Sequence, residues 1–339
     1  MAPYIREANL QQDKEILSDL AGKYLDGGAH EGRYCWLYEK NPFGPARAWI
    51  ACEKNGEPVG MAAVFPRMVH LRNAVAPACV LGDFCVSPRH RSLGPAVQLQ
   101  RACLALINSG EFAAAYDFPS TAMLGIYRHL GIHPAGELVR LLKPLRVDRQ
   151  MERFLPSRIL SHPAAVAGNF VLEITEHASS NPLGVEFRLE ETPCESEYSL
   201  LADRVGSSLG TCTVRSAEYL NWRYWQHPIC KYEFLAARRD GELLAFCTFT
   251  TSDGIATVTE LFGSMDEQAV PSLLQSLIAL LRTRGASAVS LPVLATDPRR
   301  GWLRKMGFWA REAVPVIGVA PESTNASLQM FLMQGDRES

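Results

Sequence analysis

The segment from Ala78 to Gly110 reads ACVLGDFCVSPRHRSLGPAVQLQRACLALINSG, and its reading decides the fold. Ala78 to Val86 is a run of small and apolar residues with strand character. Ser87 to Leu93 is a tight polar stretch, and Ala96 to Ile107 is apolar at helical spacing. Val97, Leu99, Ala102, Cys103, Leu106 and Ile107 fall largely on one face, which predicts an amphipathic helix of about three turns. The order is strand, short loop, helix, with Gly94 and Ala96 at the helix start. The first N–H groups of a helix lack intrahelical partners and carry partial positive charge. Small residues there let a phosphate approach the backbone, so the junction suits a pyrophosphate.

Upstream, Tyr4 to Ala8 reads as a strand and Leu10 to Tyr24 as a helix whose apolar face is Ile16, Leu17, Leu20 and Tyr24. Asp26-Gly27-Gly28 stops it, and Arg33 to Pro42 forms a short aromatic-rich helix ended by Asn41-Pro42. Ala46 to Glu53 and Val59 to Leu71 are strands around the hairpin turn Lys54-Asn55-Gly56. Downstream, Phe112 to Asp117 makes a fifth strand. Ser120 to His129 makes a helix closed by Leu130-Gly131-Ile132.

Over roughly Pro3 to Leu145 this order is similar to that of the GNAT acetyltransferase superfamily. Arg91, Gly94 and Ala96 resemble the family's Gln/Arg-x-x-Gly-x-Gly/Ala loop after a Val-x-Pro strand end, here Val86-Ser87-Pro88. Tyr127-Arg128-His129-Leu130-Gly131-Ile132 resembles its Tyr-x-x-x-Gly-Phe, with Ser120 and Met123 where Asn and Ala are usual. The resemblance implies a mixed-sheet α/β (α+β) domain that takes acetyl-CoA or another acyl-CoA as co-substrate, without a metal. Phe84, Cys85 and Val86 would lie beside the pantetheine arm. Arg91, Ser92, Leu93, Gly94, Pro95 and Ala96 would cradle the phosphates, with Ser120 nearby. Pro95 lacks a donor but suits a first helical turn, and Arg89 and Arg91 offer charge.

Acetyl transfer to an amine needs an ammonium that loses its proton, a polarised thioester oxygen and a protonated leaving thiolate. Tyr127 occupies the position from which the family protonates sulfur; the alternative is that its ring only packs between helix and sheet. Asp83 is the expected base, because a carboxylate in apolar surroundings accepts a proton more readily. Its alternative is a salt-bridged, pocket-lining carboxylate, and Asp117 is a second candidate. Tyr34, Trp36 and Tyr38 at helical spacing read more naturally as core than as the wall of an acceptor site.

Composition sets the broader class. A chain of 339 residues leads one to expect two domains. Hydrophobic content of 47% with 21% charge is that of a soluble globular protein, and a net charge of −2 gives no attraction to nucleic acid. Nine dispersed cysteines, without C-x-x-C pairs, fit free thiols in a reducing compartment, so a cytoplasmic enzyme is expected. Neither a signal pattern nor a membrane-spanning run is visible.

The chain also repeats itself. Trp36-Leu37-Tyr38-x-x-Asn41-Pro42 returns 186 residues later as Trp222-Arg223-Tyr224-x-x-His227-Pro228. Asn55-Gly56 returns as Asp240-Gly241, Asp83-Phe84 as Glu260-Leu261 and Gly131-Ile132 as Gly307-Phe308. The expectation is two GNAT-like folds in tandem: residues 1–146 binding acyl-CoA, a linker over 147–183, and 184–339 as a second copy. That copy is expected to carry a helix at Gln268 to Thr283 and a strand at Ala286 to Val293. Its counterpart of the phosphate loop, Gly263 to Pro271, carries Asp266 and Glu267 where an anion would sit, and Leu303 matches Tyr127. The expected reaction is N-acylation of a small amine or amino sugar. The rivals are an aminoacyl-tRNA-dependent Fem-like transferase, which the modest charge disfavours, and a non-catalytic acyl-CoA-binding protein.

Overall fold

A computed structural model of the chain describes residues 3–71, 74–90, 93–146, 184–264, 268–321 and 330–337. The linker expected over 147–183 lies outside the described residues, as do Arg91 and Ser92. The first half runs β1 (Tyr4–Glu7), α1 (Lys14–Tyr24), β2 (Arg47–Cys52), β3 (Pro58–Leu71), β4 (Ala74–Val86), α2 (Leu93–Asn108), β5 (Ala114–Asp117), α3 (Thr121–His129) and β6 (Gly136–Pro144). The second half adds β7 (Val185–Leu189), β8 (Thr211–Thr213), β9 (Glu233–Arg239), β10 (Glu242–Ser252), β11 (Ile255–Gly263), β12 (Ala288–Leu294), β13 (Trp309–Val319) and β14 (Met330–Phe331).

Local chemistry explains where the elements depart from expectation. α1 starts at Lys14, not Leu10, because side chains take the preceding backbone donors. Asn9 Oδ1 accepts from the Gln11 and Gln12 amides, and Asp13 Oδ2 from the Asn9 amide. β5 starts at Ala114 because the Glu111 and Phe112 amides still bond Leu106 O at the end of α2. The expected helix over Arg33 to Pro42 is a five-residue π-helical turn, Cys35–Glu39. Ser120 caps α3, its hydroxyl accepting from the Met123 amide.

The chain divides into two compact units. One comprises Met1–Leu138, Cys194–Lys231 and Val314–Ser339; the other comprises Val139–Pro193 and Tyr232–Ala313. In the first, β1, β2, β3 and β4 pair antiparallel in sequence order, and β5 joins β4 in parallel. Ile317–Val319 of β13 pairs with β5, β8 pairs with the far end of β3, and β14 with β8. α2 and α3 cover one face through Val97, Leu99, Cys103, Ile107, Ile126 and Tyr127. In the second unit β7, β9, β10 and β11 pair antiparallel in that order and β12 joins β11 in parallel, the same pattern of pairings. The expected helix and strand there are Ala269–Thr283 and Ala288–Leu294.

The repeated Trp motif is realised inside the first unit as a reciprocal contact. Asn221–Trp225 is a second five-residue π-helical turn. Trp36 Nε1 donates to Trp222 O at 2.8 Å, Trp222 Nε1 to Trp36 O at 2.9 Å, and the rings stack at 4.9 Å. Residue i meets j as j meets i, which is the logic of an isologous interface within one chain. The match continues one turn further. Asn41 Oδ1 accepts from the Phe43 amide, and His227 Nδ1 from the Ile229 and Cys230 amides.

Because His227 Nδ1 is an acceptor, the ring is held neutral. Burial, then Arg223, Arg33 and His30, push its pKa down to about 3 from 6.5. Between those values the unfolded chain binds a proton that the folded chain does not, so stability falls as pH drops through the window. Asn offers an uncharged acceptor at the place of Nδ1, as Asn41 does. Urea midpoints between pH 7 and pH 4 should therefore fall less for His227→Asn than for the parent; identical acid limbs would refute this.

Candidate active site

The site begins where two parallel strands part. β4 pairs with β5 only over Ala78–Val80 against Ala114–Tyr116, yet β4 continues to Val86 while still paired to β3. Leu81 to Val86 thus present a strand edge without a β5 partner among the described residues, and unpaired strand groups seek hydrogen bonds. Within this stretch the β3–β4 register slips, Met61 facing Cys85 and Ala63 facing Gly82. Asp83 and Phe84 share the space opposite Ala62, which makes a β-bulge. Asp83 takes φ +43°, a left-handed conformation that non-glycine residues seldom adopt.

Asp83 is 5% exposed and fully engaged. Arg33 Nη2 donates to Oδ1 at 2.6 Å and Nη1 to Oδ2 at 2.7 Å, and the Tyr38 hydroxyl donates to Oδ2 at 2.8 Å. Burial first, and then the Asp83 charge, raise the Tyr38 phenol well above its ordinary value, so Tyr38 remains a donor. Arg33 lies 50 residues from Asp83 in sequence, and nothing in its neighbourhood announces the pair.

Beyond the bulge, Phe84 is half-buried, while Cys85 and Val86 are buried. The Cys85 thiol, pushed up to about 12 by burial, faces Leu20 O of α1. The chain then passes through the short turn Pro88–His90, tied to the β2–β3 hairpin by His90 Nε2 and Glu53 at 2.6 Å, and enters α2 at Leu93. Gly94 is exposed, and a Cβ added there would meet nothing within 4 Å. Packing therefore does not account for this glycine, and the backbone at the start of α2 is open to close approach. Pro95 and Ala96 are buried behind it.

Tyr127 is fully buried in the α2–α3 core. Its hydroxyl donates to Asp117 Oδ2 at 2.6 Å and accepts from Gln100 Nε2 at 3.0 Å. Asp117 ends β5, at the strand terminus beyond the last β4 pair. Sequence reading missed Gln100, although a signal was available: it shares the apolar face of α2 with Val97, Cys103 and Leu104.

A cavity of about 300 Å³ lies between α1 and the segment that follows it. Leu17 and Ala21 form its apolar side, His30 and Tyr34 stand on the other, and Arg33 and Tyr38 line it as well. The last two are the residues bonded to Asp83. Trp36 and Tyr38 are core, as their spacing indicates, while Tyr34 and Tyr38 also wall this cavity.

β11 offers an instructive contrast. It pairs with β12 only over Ile255–Thr257 against Ala288–Ser290 and then continues to Gly263. Arg299, 2% exposed, bonds Asp297 through Nε and Nη2 and donates from Nη1 to Leu261 O at 2.6 Å. Leu261 is the residue that the repeat aligns with Phe84. Of the aligned phosphate loop, residues 265–267 lie outside the described residues.

Residues 13–135 match the model of an acetyltransferase (GNAT) domain. No curated protein matches the chain. Three solved structures share its fold over nearly all its length. A "probable N-acyltransferase" from Enterococcus faecalis V583 is 9% identical with a TM-score of 0.70, covering 94% of this chain and 72% of its own. A GCN5-related N-acetyltransferase from Anabaena variabilis is 13% identical with a TM-score of 0.66, covering 93% and 72%. One from Kribbella flavida is 15% identical with a TM-score of 0.64, covering 95% and 72%. At such identities the likeness is one of fold. No helix among the described residues is long and apolar enough to cross a membrane, and no cluster of metal-ligating side chains occurs among them.

Proposed function

We propose that the acetyltransferase domain of residues 13–135 binds acetyl-CoA, or another acyl-CoA, between β4 and β5 and transfers the acyl group to the amine of a small molecule or amino sugar. The observation that carries this reading is the parting of β4 from β5 directly before the open Gly94 at the start of α2. The coenzyme would supply an activated acyl group. The β4 edge from Phe84 to Val86 offers hydrogen bonds to its pantetheine arm, and the amides of Leu93, Gly94 and Ala96 offer donors to its phosphates. Arg91, Ser92 and Ser120 keep their expected supporting roles here. The cavity beside Arg33 and Tyr38 is the proposed place for the amine.

The transfer forms a carbon–nitrogen bond and breaks the carbon–sulfur bond. Tyr127 is the proposed donor of a proton to the departing sulfur. Asp83, the expected base, would have to shed Arg33 or Tyr38 to take a proton, so in this reading the amine's proton goes to Asp117. Asp117 returns it to Tyr127 across their 2.6 Å hydrogen bond as Tyr127 gives up its own. The complete burial of Tyr127 favours one second reading, a protein that binds acyl-CoA without turnover. Release of free thiol with an amine panel separates the two.

The second unit we read as a degenerate GNAT-like copy without coenzyme. Its strand pairing repeats that of the first, and Arg299 already takes the β11 carbonyl aligned with Phe84. Acyl-CoA should then bind once per chain.

Two outcomes follow. In calorimetry, Gly94→Leu should raise the acetyl-CoA Kd at least about tenfold while Tm stays within about 2 °C, since the added side chain enters open space; unaltered affinity would remove the phosphate site from Gly94. In thiol-release kinetics, Tyr127→Phe and Asp117→Asn should each lower kcat by about 10²- to 10⁴-fold, the double variant falling little further. Wild-type rates in either single variant would discard the relay.

A further inference from the structure

The Asp83 bulge combines three features that a free catalytic carboxylate does not need. Its backbone is left-handed, at φ +43°, which costs free energy for any residue with a Cβ and persists only where the surroundings impose it. Its carboxylate is clamped on both oxygens by Arg33 and on one also by Tyr38, all three side chains being almost wholly buried. And the clamp is itself anchored. Tyr38 sits in the Cys35–Glu39 turn, stacks on Tyr34 at 4.6 Å and meets Phe65 of β3 edge-on at 5.2 Å. The same turn is fastened through Trp36 to Trp222 by two hydrogen bonds.

A planar guanidinium holding a carboxylate by two parallel bonds fixes direction as well as distance. Here the direction matters, because the side chain of Asp83 is joined to the strained peptide that redirects β4. With two residues facing Ala62, the backbone at Asp83 and Phe84 departs from a regular strand just before the Phe84–Cys85 peptide, on the stretch of β4 that β5 has left. The other end of the clamp, Arg33 and Tyr38, lines the cavity beside α1. One ion pair thus joins a wall of that cavity to the strand edge beside the parting.

We propose that Arg33, acting through Asp83, is a positioning residue for acyl transfer: it holds the bulge that aims the Phe84–Cys85 peptide at the acyl thioester. The inference rests on the acyl-CoA reading above and deepens it. It makes Asp83 an anchor of backbone geometry, and Tyr38 the second hand on that anchor. Coenzyme A and acetyl-CoA share the contacts at the start of α2 and along the pantetheine arm, so an effect at the thioester shows in the ratio of their affinities. The acyl group is sensitive to the clamp.

Calorimetry with coenzyme A and with acetyl-CoA tests this on the full chain. Arg33→Lys keeps the charge but loses the fork, and Asp83→Gly adopts positive φ freely but loses the anchor. Both should bind coenzyme A within about threefold of wild type and acetyl-CoA about tenfold more weakly. The double variant should be no worse than the worse single one, as expected for partners in one interaction. A residue of merely structural importance would move Tm, or both affinities together, and leave their ratio alone; an unchanged ratio in folded variants overturns the proposal. Should Arg33→Lys not fold, Asp83→Gly alone decides. Failure of the wild type to bind either compound is a different result, one that defeats the coenzyme assignment itself.

Discussion

The arrangement of the first unit depends on an ion pair almost wholly withdrawn from water. Arg33 and Asp83 each give up hydration on burial, and their attraction offsets that loss only because the geometry is bidentate and Tyr38 satisfies a further lone pair. Removing either partner would leave a buried charge without compensation, which costs about 3–5 kcal/mol. Such a pair adds little net stability over apolar packing. What it adds is direction: it pins a strand at the one residue where its backbone turns left-handed, next to the edge that β5 abandons.

Packing around that pair explains why the segment after α1 is so aromatic. Tyr34 and Tyr38 stack, Trp36 stacks on Trp222, and Arg223 lies over the Trp36 ring at 5.5 Å. Arg67, buried on β3, lies over Trp222 at 5.2 Å and donates to Pro66 O. The rings thereby give buried guanidinium groups a favourable electrostatic surface as well as apolar area. Two π-helical turns, related by the sequence repeat, meet at the centre of this layer. A turn wound to five residues per hydrogen bond is unfavourable alone, and its recurrence at the aligned position fits an inherited contact.

Much of this was legible in the sequence because it is local. Hydrophobic periodicity gave β4, α2 and their junction, Asn55-Gly56 and Asp240-Gly241 marked the hairpins, and the offset of 186 residues tied Trp36 to Trp222. The acetyltransferase resemblance over Pro3 to Leu145 agrees with the domain matched at residues 13–135. What was not legible is long-range and polar. Asp83 reads from the sequence either as a base or as a salt-bridged carboxylate; the structure gives the salt bridge, but its partner lies 50 residues earlier and no periodicity encodes an ion pair. Tyr127 could be placed on α3 by its motif, but its bonds to Gln100 and Asp117 depend on how α2 and β5 pack. The apolar pattern starts α1 at Leu10, whereas the helix begins at Lys14, since the Asn9 and Asp13 side chains compete for amides that the pattern assigns to the helix.

The repeat also bears on why a half without the proposed coenzyme site would be kept. Cys194–Lys231 and Val314–Ser339 come from the second half of the chain yet belong to the first compact unit. They bring Trp222 against Trp36, set Ile317 beside Asp117 and place Arg215 against Asp336 in a pair with no solvent access. The first half by itself would expose the indole of Trp36, one edge of β5 and the buried end of β3 where β8 pairs. These segments of the second half therefore supply surfaces that the first half requires in order to close. A continuous run of contacts leads from Trp222 of the second half through Trp36 and the turn that carries Tyr38 to Asp83 of the first, so the two halves of the sequence are joined by packing at the very residue where β4 turns left-handed.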